Sequence, residues 1–424
     1  TPQYKKHEQA RTSQETDGQA KPQGVDFFQD KRSPRHHTRF HTAIKSECTL
    51  LRKEMTIKLD ETEKQPAAAP DICLTNVYRA HSDDLVETAD ERRLFSVGGT
   101  TGIGAGVASD EDGDGVPIID LAQPAEVVEE ELWKAANDVG FFNVNHGIPQ
   151  EVIDGMFEQS ITFFDQTVSE KKEQCPFDRA LNSGYEFKEQ IRPSSGRPDQ
   201  KESYHISPRA GAMDDRWPTK PTTLRGFAET AMIPEAHQLS MRILSSLERR
   251  GCTHLEPGTL EQAITLWGEH SRSCLRILRY PPMTVEENEE MQVPGNVHWR
   301  AAPHTDFSCL SLLFQREGEG GLECRANPRS AVGSGDKAKW LPVNPVKGGI
   351  SVNIGDMLSH WSDGELFANL HRVRMPRDAS ECAKSRYSIG YFTQADDSHV
   401  IVTKNGDPIT AGDYIKMRLK ANFK

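Results

Sequence analysis

From Leu275 onward the chain breaks into short apolar stretches separated by Gly, Pro and Asn. Residues 310–314, 350–354 and 387–392 are the clearest of them. Each has the length of a strand and is bounded by turn-forming residues. Many short strands at that spacing predict a sandwich or a barrel. Ahead of this region the periodicity is helical. Leu132, Ala135, Ala136 and Val139 predict a helix over 129–139, and Ile153, Met156, Phe157, Ile161 and Phe164 predict one over 149–168. A further helix is expected over 224–250 and a closing one over 413–420, with strands at 116–121 and 140–147. Residues 181–221 are polar, contain Pro and Gly, and read as loop-rich. The fold class is α+β.

The first 115 residues differ from the rest: they are rich in Lys, Glu, Gln, Asp, Thr and His, with few periodic apolar positions. They are expected to form a flexible extension. That leaves 116–270 as an N-terminal α/β region and 271–424 as the barrel with its closing helix. The 424 residues carry 51 Lys plus Arg against 63 Asp plus Glu, a net charge of −12. A protein that coats duplex nucleic acid needs a basic surface, so nucleic acid is not an expected partner. No apolar run approaches the ~18–20 residues that cross a bilayer, so no membrane association is expected. The eight cysteines are irregularly spaced with no C-x-x-C pair, which reads as reduced intracellular thiols. No charged-then-apolar leader is visible, and a cytoplasmic setting is expected. Residues 31–37 (KRSPRHH) read first as a solvated tail and second as a nuclear address or a nucleic-acid patch.

Three motifs in the first half fail on context. Residues 94–104 resemble the Gly-rich turn of a short-chain dehydrogenase, but an acidic, Gly-rich stretch replaces the helix that must follow, and no Tyr-x-x-x-Lys occurs. Residues 110–115 resemble half of a calcium loop, but Leu121 occupies the position of the bidentate Glu. His81 and Asp83, like His37 and His41, lack companion ligands.

The chemistry is expected further on. His304 and Asp306 stand at i and i+2 where an apolar strand opens, a spacing that places two side chains on one face of an extended chain. His371 lies on a later strand. Two imidazoles and one carboxylate make a facial metal triad that leaves coordination positions open for substrate and O₂. Arg386 and Ser388 repeat the i, i+2 spacing, and suit a carboxylate: the guanidinium grips it in a bidentate manner and the hydroxyl adds a donor. Tyr280, before Pro281 and Pro282, is a third donor. Phe307 reads equally as pocket wall and as core.

Taken in order, these motifs resemble those of the Fe(II)- and 2-oxoglutarate-dependent oxygenases related to isopenicillin N synthase. The resemblance runs from Val116 to the C-terminus. It includes residues 116–121, 140–149 and 199–204, Gly320-Gly321-Leu322-Glu323, Asn353-Ile354-Gly355-Asp356, His371-Arg372-Val373 and residues 409–414. It implies a double-stranded β-helix, a cupin-like jelly roll with iron in its mouth, flanked by N-terminal helices and a C-terminal helix. It also implies His304, Asp306 and His371 as iron ligands, Arg386 and Ser388 on the distal carboxylate of 2-oxoglutarate, Tyr280 assisting them, and His146 in a structural role. Leu278 stands where plant members carry Asn, and no Gln lies near the C-terminus to act as a tail ligand. The activity implied is oxidation of a small molecule, hydroxylation first, coupled to conversion of 2-oxoglutarate and O₂ to succinate and CO₂. A family oxidase that does not use 2-oxoglutarate and a non-catalytic barrel are the alternatives. The substrate and the oligomeric state are not readable from the sequence.

Overall fold

The computed structural model describes residues 116–422, apart from 146, 193, 328, 331–339 and 405. The N-terminal extension, its three decoy motifs and His146 lie outside the described residues. Twelve strands form two sheets. The larger runs in the order β1 (Ile118–Asp120), β2 (Phe141–Asn145), β10 (Ile350–Ile354), β7 (Leu310–Gln315), β12 (Arg386–Thr393), β5 (Cys274–Tyr280), β4 (Glu202–Ile206), β3 (Gly184–Phe187). The smaller runs β6 (Ala301–His304), β11 (His371–Val373), β8 (Leu322–Arg325), β9 (Trp340–Pro342). A two-stranded ribbon, β13 (Val400–Ile401) with β14 (Ile409–Thr410), precedes the last helix, Ala411–Asn422. Strands from both sides of residue 270 share the larger sheet. This is the α+β jelly roll that the family resemblance implied, and it accords with the sandwich or barrel expected from the strand pattern.

Alternation along β5 and β12 separates the two faces of the larger sheet. Leu275, Ile277, Tyr387, Ile389 and Tyr391 belong to the main core cluster, with Ile233, Leu239, Ile243 and Leu247 of the helix Ile233–Gly251 and Phe157 and Phe163 of the helix Gln150–Phe164. Leu278 and Tyr280 belong to a second cluster with Ala301, Leu322 and Val373 of the smaller sheet. The larger sheet is thus covered by helices on one side and by the smaller sheet on the other, with the cavity between the two sheets.

The expected loop 181–221 contains β3 and β4. Charged residues at 199, 201 and 202 disguise β4, because all three are buried and paired. Asp199 accepts from Lys201 Nζ (2.8 Å) and from the backbone N–H of Ala302 (2.9 Å), tying β4 to the start of β6. Glu202, 2% exposed, accepts from Lys171 Nζ at 2.7 Å, from Arg279 at 3.2 Å and from the Tyr185 hydroxyl. Lys171 and Arg279 also donate to the Phe164 carbonyl at 3.0 and 2.9 Å, so one carboxylate ties the end of a helix to two strands. No described helix is long and apolar enough to cross a membrane.

Two substitutions test these supports. Glu202→Leu leaves Lys171 buried without a counter-ion and is expected to cost about 3–5 kcal/mol in urea unfolding. At Gly355 an added Cβ would lie 2.1 Å from the Ser308 carbonyl oxygen, so Gly355→Ala must move the backbone of the turn below it. A loss of about 1–3 kcal/mol is expected. Gly226→Ala, a helical position with nothing within 4 Å of the new Cβ, is expected to be neutral or slightly stabilising.

Candidate active site

His304 ends β6 and His371 begins β11, and the two are paired directly across the antiparallel ladder. Their rings lie 4.3 Å apart, centroid to centroid. Asp306 does not share a strand with His304. It sits in the turn that carries the chain from the smaller sheet to β7 of the larger one, so the expected i, i+2 strand geometry is replaced by a crossover. The crossover holds because β7 must start in the opposite sheet, and the Asp306 carbonyl accepts from the Asp356 N–H at 2.7 Å. Asp306 Oδ1 then lies 3.6 Å from Nε2 of each histidine. One donor atom from each of the three side chains lies within 4.8 Å of the others.

The surroundings leave those atoms free. His304 Nδ1 is 2.7 Å from the Ala302 carbonyl and His371 Nδ1 is 3.1 Å from that of Asn369. A carbonyl only accepts, so both rings carry the proton on Nδ1 and present the Nε2 lone pair inward. Asp306 Oδ2 accepts from Ser311 Oγ (2.7 Å) and Asn353 Nδ2 (3.0 Å), which leaves Oδ1 facing the histidines. Burial, with Arg192, His371 and Lys201 adding like charge, holds His304 well below the usual imidazole range, so it is neutral near pH 7. Burial raises the Asp306 carboxyl, but His371, Asn353 and Ser311 outweigh it and the net direction is downward. Two imidazoles and one carboxylate, with donor atoms converging, are a set that fits a divalent first-row metal ion.

Arg386 and Ser388 project from β12 into the same cavity, which has a volume of about 70 Å³. Tyr280 stands directly across from Arg386, and Leu278 across from Ser388. The guanidinium lies 4.8 Å from the Tyr280 ring centre. Its donors go to the carbonyls of Glu319 and Gly320 (both 2.9 Å), to Gln315 Oε1 (3.0 Å) and, longer, to Ser388 Oγ (3.5 Å). The Glu319 carboxylate nearby is engaged by Arg316 (2.8 Å) and the Tyr387 N–H (2.5 Å). Arg386 is therefore buried and oriented by neutral acceptors, with no described carboxylate in contact. The six residues singled out from the sequence all line this cavity.

Apart from Phe307, which both lines a chamber and packs against the core, the other lining residues had no individual signal in the sequence. A larger chamber of about 440 Å³ adjoins the first, and Arg192, Arg276, Asp306 and Phe392 line both. Phe307, Ile415 and Leu419 contribute apolar wall to it. His205 spans Asn182 (3.0 Å) and Glu186 (3.1 Å) there. Burial lowers His205 to about 4, so the imidazole is neutral, and Glu186, which His205 and Gln190 hold at about 2 against its own burial, carries the charge. Ser311 and Asn353 fell within strand-like stretches, where their bond to Asp306 depends on tertiary placement.

Residues 271–395 match the sequence model of the 2OG-Fe(II) oxygenase superfamily, and residues 116–224 match that of the N-terminal region of non-haem dioxygenases in morphine synthesis. The UPF0676 protein of Schizosaccharomyces pombe is 30% identical over 73% of this chain and 92% of its own. The 2-oxoglutarate-dependent dioxygenase ucsF of Acremonium sp is 30% identical over 72% of this chain and 98% of its own. Among solved structures, the full-length Neurospora crassa T7H in complex with alpha-KG superposes with a TM-score of 0.60, at 24% identity, over 74% of this chain and 98% of that one, a likeness of fold. The chain belongs to the 2-oxoglutarate- and Fe(II)-dependent oxygenases of the isopenicillin N synthase-like superfamily, oxidoreductases that use Fe(II), 2-oxoglutarate and O₂ on small organic substrates.

Proposed function

We propose that His304, Asp306 and His371 hold the Fe(II), that Arg386 and Ser388 hold the distal carboxylate of 2-oxoglutarate, and that the usual outcome is hydroxylation of a small molecule seated in the larger chamber. The observation that carries this reading is the convergence of three metal-binding atoms whose other polar atoms are already bonded. Fe(II) bound there supplies the redox chemistry that couples decarboxylation of 2-oxoglutarate, to succinate and CO₂, with oxidation of a substrate C–H bond.

The residues have separate tasks. Nδ1–H donation to Ala302 and Asn369 fixes each ring, and Ser311 and Asn353 fix the carboxylate. Arg386 offers its charge where no described carboxylate is in contact with it, with Tyr280 packed along its face. Leu278 gives the co-substrate an apolar contact beside Ser388. Phe392 and Arg276, at the junction of the two chambers, face whatever spans them. The net charge of −12 argues against a nucleic-acid substrate. A cytoplasmic setting accords with the free, buried state of all six described cysteines.

Three variants test the assignment. His304→Ala is expected to lose bound iron and succinate formation together, measured by metal analysis and by product assay in air; an iron-replete, active variant contradicts it. Asn353→Ala frees one oxygen of Asp306 and is expected to weaken Fe(II) binding about 10–100-fold by anaerobic titration. Arg386→Gln is expected to raise the half-saturating 2-oxoglutarate concentration about 30-fold or more, ~2 kcal/mol, with iron content unchanged.

A further inference from the structure

Four cationic side chains line the smaller cavity: Arg192, Lys201, Arg276 and Arg386. Arg192 and Lys201 share Asp199, at 3.5 and 2.8 Å. Arg386 has the role proposed above. Arg276 is left with the Cys274 side chain as a hydrogen-bond partner and with no described carboxylate in ion-pair contact. Its Nε is shut off from solvent and makes no hydrogen bond, and no described carboxylate is in ion-pair contact with it. Glu186 lies within electrostatic reach but not in ion-pair contact, and its Oε2 is taken by His205 (3.1 Å) and Gln190 (2.7 Å). The adjacent Cys274 thiol is pushed up by burial, so it supplies no negative charge near pH 7.

The position is built. Arg276 faces Gly390 across the β5–β12 ladder. A Cβ at residue 390 would lie 2.8 Å from the Phe392 ring, so glycine there lets that ring lie over the strand. The guanidinium rests 4.7 Å from the centre of the same ring. Stacking on one face leaves the edge of the fork available for a planar anion. Arg276 and Arg386 stand opposite positions four residues apart on β12, about 13 Å along the sheet. The two cations therefore serve different ends of the joined chambers.

We propose that Arg276 receives a carboxylate of the molecule being oxidised. The substrate class is then small carboxylic acids whose apolar body lies against Phe392, Phe307, Ile415 and Leu419 in the larger chamber. Arg276 carries one positive charge with no described carboxylate in ion-pair contact, which suits a monoanion; a phosphate monoester carries about −1.5 to −2 charges. This inference rests on the iron and 2-oxoglutarate reading given above.

The test uses the full chain loaded with Fe(II) and 2-oxoglutarate without O₂, followed by its visible absorption band. The probes are 3-phenylpropionate, indole-3-propionate and octanoate, each paired with its primary amide. At least one acid is expected to perturb the band at concentrations where its amide does not. Arg276→Leu is expected to raise that acid's half-saturation about tenfold or more while leaving that of 2-oxoglutarate unchanged. Arg276→Lys, which keeps the charge but loses the fork, is expected to fall between. The proposal is overturned if amides act as well as acids, if no acid acts, or if Arg276→Leu weakens 2-oxoglutarate as much as the acid. Absence of the band from the unaltered protein would instead overturn the iron reading, and this inference with it.

Discussion

Burial of one face of β5 and β12 beneath helices is the constraint on which the rest depends. Leu275, Ile277, Ile389 and Tyr391 must face the helix Ile233–Gly251 to complete the main core. Strict alternation then forces Arg276, Leu278, Tyr280, Arg386, Ser388 and Phe392 toward the smaller sheet. A slip of one residue in either strand would move the arginines into the apolar core and the core residues into the cavity. Hydrophobic burial on one side thus enforces the register of the polar residues on the other.

The charges of the cavity differ from those of the chain. A protein with net charge −12 lines its inner chamber with four cationic groups and one carboxylate of the triad. Asp199 pairs with two of the cations, cancelling one of their charges, and fixes the start of β6, so the same residue moderates charge and places His304. Surplus positive potential in an enclosed, low-dielectric space favours anionic ligands more than the same charges would on the surface.

Much of this was legible in the sequence where local spacing carries the information. His371 at a strand start, the i, i+2 pair Arg386 and Ser388, and the helical periodicities all survive into the structure, because each follows from backbone geometry alone. The helix expected over 149–168 divides at Thr167, whose side chain and Glu170 form a reciprocal cap that starts a new one, Val168–Gln174. The position of Asp306 in a crossover was not legible, since a turn between sheets and the opening of a strand look alike in an H-x-D-x-x-x apolar sequence. β4 was hidden for a different reason. Asp199, Lys201 and Glu202 read as solvated until Arg192, Lys171, Tyr185 and Arg279 are brought to them from other parts of the chain. Arg276 and Arg279 lie three apart on one strand, so they face opposite ways: one meets the cavity and the other meets Glu202.

The direct pairing of His304 with His371 has a further meaning for the metal site proposed there. Backbone hydrogen bonds between β6 and β11, not the ion, set the spacing of the two imidazoles, and Asp306 is held from behind by Ser311 and Asn353. Under that proposal the site is ordered by the fold's own hydrogen bonds, and little ordering is left for an ion to drive.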